Sequence, residues 1–135
     1  MGCFLDKYDE VDRKIMTKNN LWNEFQMKKT EVIRYALKNE KDTLFLDSDI
    51  FILYPIDTID KTKSLGISPH YIRKKDTDKY GYYNGGVLWT NQNTLPDKWI
   101  HYTKTSRFHE QSSIEDLAKG YKYFEFDKGH NFSWW

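Results

Sequence analysis

The sequence predicts an α/β fold. Apolar residues recur at helical spacing in three stretches, and short unbroken apolar or alternating runs lie between them. A length of 135 residues sets the scale at one domain with room for a real core.

The elements follow in order. The first 18 residues are polar and irregular. From about Leu21 to Leu37, the positions Leu21, Trp22, Phe25, Val32, Ile33, Ala36 and Leu37 fit one helix, with Asn19 or Asn20 to cap it and Asn39 to close it. Thr43 to Leu46 is a short apolar run after a polar turn, the pattern of a central strand covered on both faces, as in parallel sheets. Leu65 to Ser68 and Gly85 to Thr90 read as two more strands. Pro96 stands near a helix start, with Trp99, Ile100 and Tyr102 as its apolar face. Ile114, Leu117 and Ala118 mark a further helix that Gly120 stops, and Lys122 to Phe126 alternates like a strand.

Composition narrows the function classes. Ten Tyr, eight Phe and five Trp beside many charged residues make a globular chain and not a disordered one. With 21 basic and 20 acidic side chains the formal charge is +1, which argues against a nucleic-acid surface. Arg73-Lys74-Lys75 reads as a solvated loop that can still meet phosphates. Cys3 is the only cysteine, so no intrachain disulfide forms and a reducing, cytoplasmic setting is expected. No stretch approaches the ~20 apolar residues of a membrane span. "MGCFLD" is similar to an acylated N-terminus, but Asp6 stands where Ser or Thr is usual, and the sequon at Asn131 has meaning only in a secreted protein.

The chemistry-bearing feature is "TLFLDSDIFIL". Asp47 and Asp49 emerge at the end of a buried run, at the strand edge where open α/β sheets bind ligands. An unpartnered buried carboxylate is costly, so a ligand is the natural explanation. Two positions apart on a regular strand, both carboxylates would share a face and converge. Mg²⁺ or Mn²⁺ is well served by such a pair, with phosphate oxygens and water completing its shell. Asp-x-Asp alone is a weak signal, since thirteen aspartates predict about one such triplet by chance. The second triplet, Asp76 to Asp78, falls in a polar loop and reads as solvated surface. The bland alternative for the first is a pair of turn-capping carboxylates. A phosphatase of the haloacid dehalogenase type also opens on a strand ending in Asp-x-Asp, but Phe51 occupies the place of its small Thr or Val.

Taken together, "YALKNEKDTLFLDSDIFIL", "GYYNGGVLWT" and "FHEQSSIEDLA" resemble the nucleotide-diphospho-sugar transferases of the GT-A fold, especially glycosyltransferase family 8 (glycogenin-like) and its relatives. The likeness covers roughly Leu21 to Phe126 and rests on three motifs in the family's order. It implies a GT-A-like mixed, mostly parallel sheet flanked by helices. It also implies that Asp49 binds the metal and that Asp47 contacts the metal or the donor ribose. Asn84, Gly85 and Gly86 would line the sugar pocket; physically, two glycines admit a ligand to the backbone and Asn84 offers donors and an acceptor. Tyr82 and Tyr83 add aromatic faces. The alternative for "NGG" is a plain turn before a strand. Glu110-Gln111 matches an acidic-Gln pair usually written Asp-Gln. Gln111 would bond the transferred sugar, and Glu110 would orient the acceptor or accept its proton, a role His109 could share. A capping carboxylate at a helix start is the alternative for Glu110. His130 in "GHNFSWW" matches a later metal-ligand His, without that motif's Gly, Lys and Pro.

The family's opening nucleotide-binding strand has no counterpart before Leu21, and the chain stops at Trp134-Trp135. Residues 1–135 therefore read as a single, partial or shortened domain, incomplete at the N-terminus, with open sheet edges and exposed apolar surface expected. The expected function is metal-dependent transfer of a hexose from a nucleoside-diphosphate sugar, in the first instance a UDP-sugar, to an unidentified glycan, protein or lipid. A non-catalytic sugar-nucleotide binding remnant is the second expectation, and the phosphatase the third.

Overall fold

The computed structural model describes residues 21–128. Two helices, α1 (Leu21–Gln26) and α2 (Lys28–Asn39), lead into strand β1 (Thr43–Leu46). Strand β2 (Leu65–Pro69), helix α3 (Lys74–Tyr80), strand β3 (Tyr83–Thr90) and helix α4 (Leu95–Thr103) follow. The short helix α5 (His109–Ser112), helix α6 (Ile114–Lys119) and strand β4 (Tyr123–Glu125) complete the order. Cys3, Asn19, Asn20, His130, Asn131, Trp134 and Trp135 lie outside the described residues.

The single helix expected over 21–37 is two helices that meet at Met27. The Met27 carbonyl there accepts from both the Thr30 hydroxyl, at 2.6 Å, and the Thr30 N–H, at 3.0 Å. The buried stripe of α2 is Thr30, Ile33 and Leu37, and Val32 stands outside it, 58% exposed. The polar stretch expected as a loop around Asp76 and Asp78 is instead helix α3, with no buried residue. A local ion pair from Arg73 Nε to Asp76 Oδ2 (3.0 Å) sits at its start. Gly81 ends it at φ 103°, a left-handed backbone that glycine adopts without strain.

The sheet is mixed, in the order β1-β3-β2-β4. Strand β3 runs antiparallel to both neighbours, and β2 pairs with β4 in parallel. The expectation of a mostly parallel sheet is thus corrected: β1, β2 and β4 share one direction, but β3 runs against them and only one pairing is parallel. Strand β1, expected in the centre, is the half-buried edge of the described sheet, and β3 is central. An apolar run reports burial; it carries no information about the direction of a neighbour.

Strand β3 carries an irregularity that decides the site. Ile67 pairs with Leu88, yet the next residue, Ser68, pairs with Asn84. Gly85, Gly86 and Val87 therefore bulge from the β2 ladder, as glycines inside a strand often signal.

Each face of the sheet has its own core. Ile33, Leu37, Leu95, Trp99, Ile114 and Leu117 from α2, α4 and α6 pack on one face against Leu65, Ile67 and Leu88. On the other, Val87, Trp89 and Phe126 are covered by Ile50, Ile56, Ile59 and Phe124. The tip of the Phe124 ring lies against Gly66, where an added Cβ would stand 2.5 Å from its Cζ. Gly66→Ala is accordingly expected to destabilise by about 1 kcal/mol, because the ring, packed against Trp89 and Phe126, must shift to admit the methyl, and denaturant unfolding measures it directly. Phe51 to Tyr54 project outward, each more than 60% exposed, which matches the exposed apolar surface expected. Among the described residues no helix is long and apolar enough to cross a membrane.

Candidate functional site

Because β1, β2 and β4 share a direction, their carboxyl ends and the start of β3 form one rim. Asp47 follows directly on β1 and extends its ladder by one bond, its N–H donating to Gly86 O at 2.9 Å. The strand then gives way to a tight turn in which Ile50 N–H donates to Asp47 O at 3.1 Å. Asp47 and Asp49 therefore do not alternate along a regular strand as expected; a turn sets their relative position. Asp49 is exposed at its tip, near enough for its charge to act on Asp47.

Asp47 and the double glycine, separate in sequence, meet at this rim. A Cβ built on Gly86 would lie 3.2 Å from Asp47 Oδ2 and 2.9 Å from Asn84 Oδ1. The absence of side chains there keeps the Asp47 carboxylate open from the sheet side. Asn84 Oδ1 accepts from Gly86 N–H at 2.6 Å, leaving the amide nitrogen as the donor this residue can offer a ligand.

The centre of the cluster is a residue the sequence did not single out. Lys29, on the first turn of α2, places Nζ 3.2 Å from Asp47 Oδ2, 3.3 Å from Gly85 O and 2.8 Å from Glu110 Oε1. Its side chain is only 15% exposed, and that of Glu110 6%. Burial works against the lysine's charge, but Glu110 and Asp47 outweigh it and lift its pKa above the ordinary value. For Asp47 burial is the larger influence and pushes the carboxyl upward despite Lys29. The signal was present: Lys29 lies four residues before Ile33 and eight before Leu37, on the apolar stripe of its own helix.

Glu110 and Gln111 part company. The Glu110 backbone is held from behind, its carbonyl accepting from Trp99 Nε1 at 3.0 Å and Ser113 Oγ at 2.6 Å. The Glu110 side chain turns towards Gly85 and Lys29, and its second oxygen, Oε2, is buried with no hydrogen-bond partner among the described residues. A buried acceptor without a donor is costly, so Glu110 is kept here for more than packing. Gln111 points elsewhere. Its Nε2 donates to Tyr80 O at 3.1 Å and approaches His70 Nδ1 at 3.3 Å. Burial lowers the His70 pKa, consistent with a neutral ring that accepts this bond at Nδ1. His109 sits at φ 43°, a strained conformation for a side-chain-bearing residue.

Tyr83 is buried in the helix-side core, and its hydroxyl donates to Glu125 Oε1 at 2.9 Å. The open aromatic face at this point belongs to Tyr82, 44% exposed and packed edge-on against Tyr83. Among the described residues no three His, Cys, Asp or Glu side chains gather as a metal cage. Mg²⁺ and Mn²⁺ do not require one, since one or two carboxylates with phosphate oxygens and water suffice. Asp47 and Asp49 fit that donor chemistry. A search of protein-family models, curated proteins and solved structures finds no match to this chain.

Proposed function

We propose that this chain carries the donor site of a GT-A-type glycosyltransferase, moving a hexose from a nucleoside-diphosphate sugar, UDP-linked in the first instance, to an acceptor hydroxyl. The observation that supports this most is the meeting of three distant segments at one cation: Asp47, the Gly85-Gly86 bulge and Glu110 all converge on Lys29 Nζ. Diphosphate-sugar chemistry needs these parts. The anomeric carbon gains a bond to the acceptor oxygen and loses its bond to the diphosphate oxygen; the hydroxyl proton leaves to a base, and the nucleoside diphosphate departs with the bonding electrons.

In this reading Asp47 and Asp49 hold Mn²⁺ or Mg²⁺, which when bound supplies Lewis-acid stabilisation of the leaving diphosphate. Lys29 holds Asp47 and Glu110 in place and offsets part of their negative charge, so the positive field for an anionic leaving group would come from the bound cation. Gly85 and Gly86 let the sugar approach the backbone, and Glu110, buried beneath them, fixes Lys29 and through it Asp47. Gln111, tied to Tyr80 and His70, is a positioning residue in this scheme and no longer a sugar contact. One observation favours the binding-only alternative: of the acidic-Gln pair, only Glu110 faces the cluster.

The test is thermal unfolding with UDP and Mn²⁺, alone and together. Saturation at about a hundred times Kd should add about 2.7 kcal/mol and raise Tm by several degrees. Asp49→Ala should abolish the metal-dependent part. Release of UDP from a UDP-sugar then identifies an enzyme; stabilisation without release identifies a binder. No nucleotide response together with hydrolysis of p-nitrophenyl phosphate would replace both with the phosphatase.

A further inference from the structure

The far end of the rim has a different chemistry. Tyr71 follows β2, Tyr82 precedes β3, and Tyr123 lies on β4; each is 40–45% exposed. They surround the exposed Glu125, which already accepts from the buried Tyr83 hydroxyl. Glu125 and Asp127 act electrostatically on Tyr71, and Glu125 and Tyr123 on Tyr82, so the groups form one neighbourhood. The backbone holds Tyr71 there at a price in strain, with φ 53°, while its hydroxyl is anchored to Phe126 O at 2.9 Å. An aromatic residue kept in the left-handed region is a feature that structural convenience does not explain.

We infer that this tyrosine-lined end of the rim, between β2 and β4, is an acceptor subsite for an uncharged glycan, an inference that rests on the transferase reading above. Ring faces cover the C–H faces of a sugar, and tyrosine hydroxyls with one carboxylate serve its hydroxyls. The charge selects the occupant. At the β1 end Lys29 is already shared by Asp47 and Glu110, so that end takes a diphosphate only together with a divalent cation on Asp47 and Asp49, whereas at the β4 end Glu125 and Asp127 repel phosphate. With strands about 4.8 Å apart, the rim from β1 to β4 spans roughly 14 Å, room for a donor sugar and a short acceptor side by side.

Saturation-transfer NMR on the full chain tests this with lactose, maltose and cellobiose, with glucose 6-phosphate as the anionic counterpart, and with UDP and Mg²⁺ in a separate titration. At least one disaccharide should receive saturation and glucose 6-phosphate should not. Tyr123→Ala, at an exposed position, should weaken the disaccharide about tenfold while leaving UDP binding within about twofold, and Tyr82→Ala should weaken the disaccharide by a similar factor. Glu125→Lys should admit glucose 6-phosphate. The inference is overturned if none of the disaccharides binds, if both tyrosine variants bind as the parent does, or if glucose 6-phosphate binds the parent equally well. Disaccharide binding without any UDP binding would instead overturn the transferase reading and leave a sugar-binding site standing alone.

Discussion

Replacing Lys29 by methionine is expected to lower Tm by roughly 10 °C or more, the largest stability effect of any single change at the rim. Methionine matches the aliphatic stem, so packing is nearly kept and the effect isolates the charge. What remains is Glu110, almost fully buried, and Asp47, both without their shared cation. Removing one partner of a buried pair typically costs about 3–5 kcal/mol because the other is left uncompensated. The pH profile should keep its sign but move to a lower pH window. In the parent, Lys29 is raised above its ordinary 10.5, so the stability it contributes is complete below that value and is lost as pH climbs through the raised one. The variant lacks this alkaline loss. Its Asp47, already pushed upward by burial, favours the protonated form further when folded, so the variant should gain stability as pH falls from 7 towards 5. Lys29→Met combined with Glu110→Gln should recover much of the loss; if the double variant is no more stable than Lys29→Met alone, the charge account is wrong and packing is responsible. Urea unfolding from pH 5 to 11 supplies both readouts.

Asp47→Asn is expected to do the reverse: little change in stability, with at least about a hundredfold loss of metal-dependent UDP affinity. The amide can still accept from Lys29, and Lys29 keeps Glu110 as its ionic partner at 2.8 Å. Burial already disfavours the Asp47 charge, so neutralising it relieves a cost and Tm should hold or rise slightly. A side chain that lowers stability while serving a ligand is the usual compromise of a functional site. Paired Tm measurements and Mn²⁺–UDP titrations decide the matter, and a variant that loses stability yet binds UDP normally would make Asp47 a structural residue only.

Much of this was legible in the sequence, and the failures have physical causes. The runs TLFL and VLWT announced β1 and β3 because burial on both faces leaves a continuous apolar signature. Residue types flagged Asp47 and Gly86 separately, since a carboxylate after a buried strand and glycines inside one both need a reason, but only the resemblance placed them at one site. Strand direction was not legible, since β1 pairs with an antiparallel neighbour through an identical pattern. Helix α3 was hidden because it buries nothing, so no periodicity marks it. Lys29 was hidden in a run of charged residues, and only its spacing to Ile33 distinguished it. Gln111 looked like part of one motif with Glu110, yet adjacent side chains on a helix point apart.

The bulge in β3 also acts as a parity switch. Tyr83 and Leu88 are five positions apart, an odd number, so plain alternation would send them to opposite faces, yet both belong to the helix-side core. Three extra residues against β2 invert the phase and reconcile them. Deleting one glycine would therefore do more than crowd the rim. It would bring Tyr83 and Leu88 to an even separation, which plain alternation keeps in one core without a bulge, so the strand could straighten and the open edge beside Asp47 would be lost, whereas removing two residues would leave an odd separation that needs the bulge again.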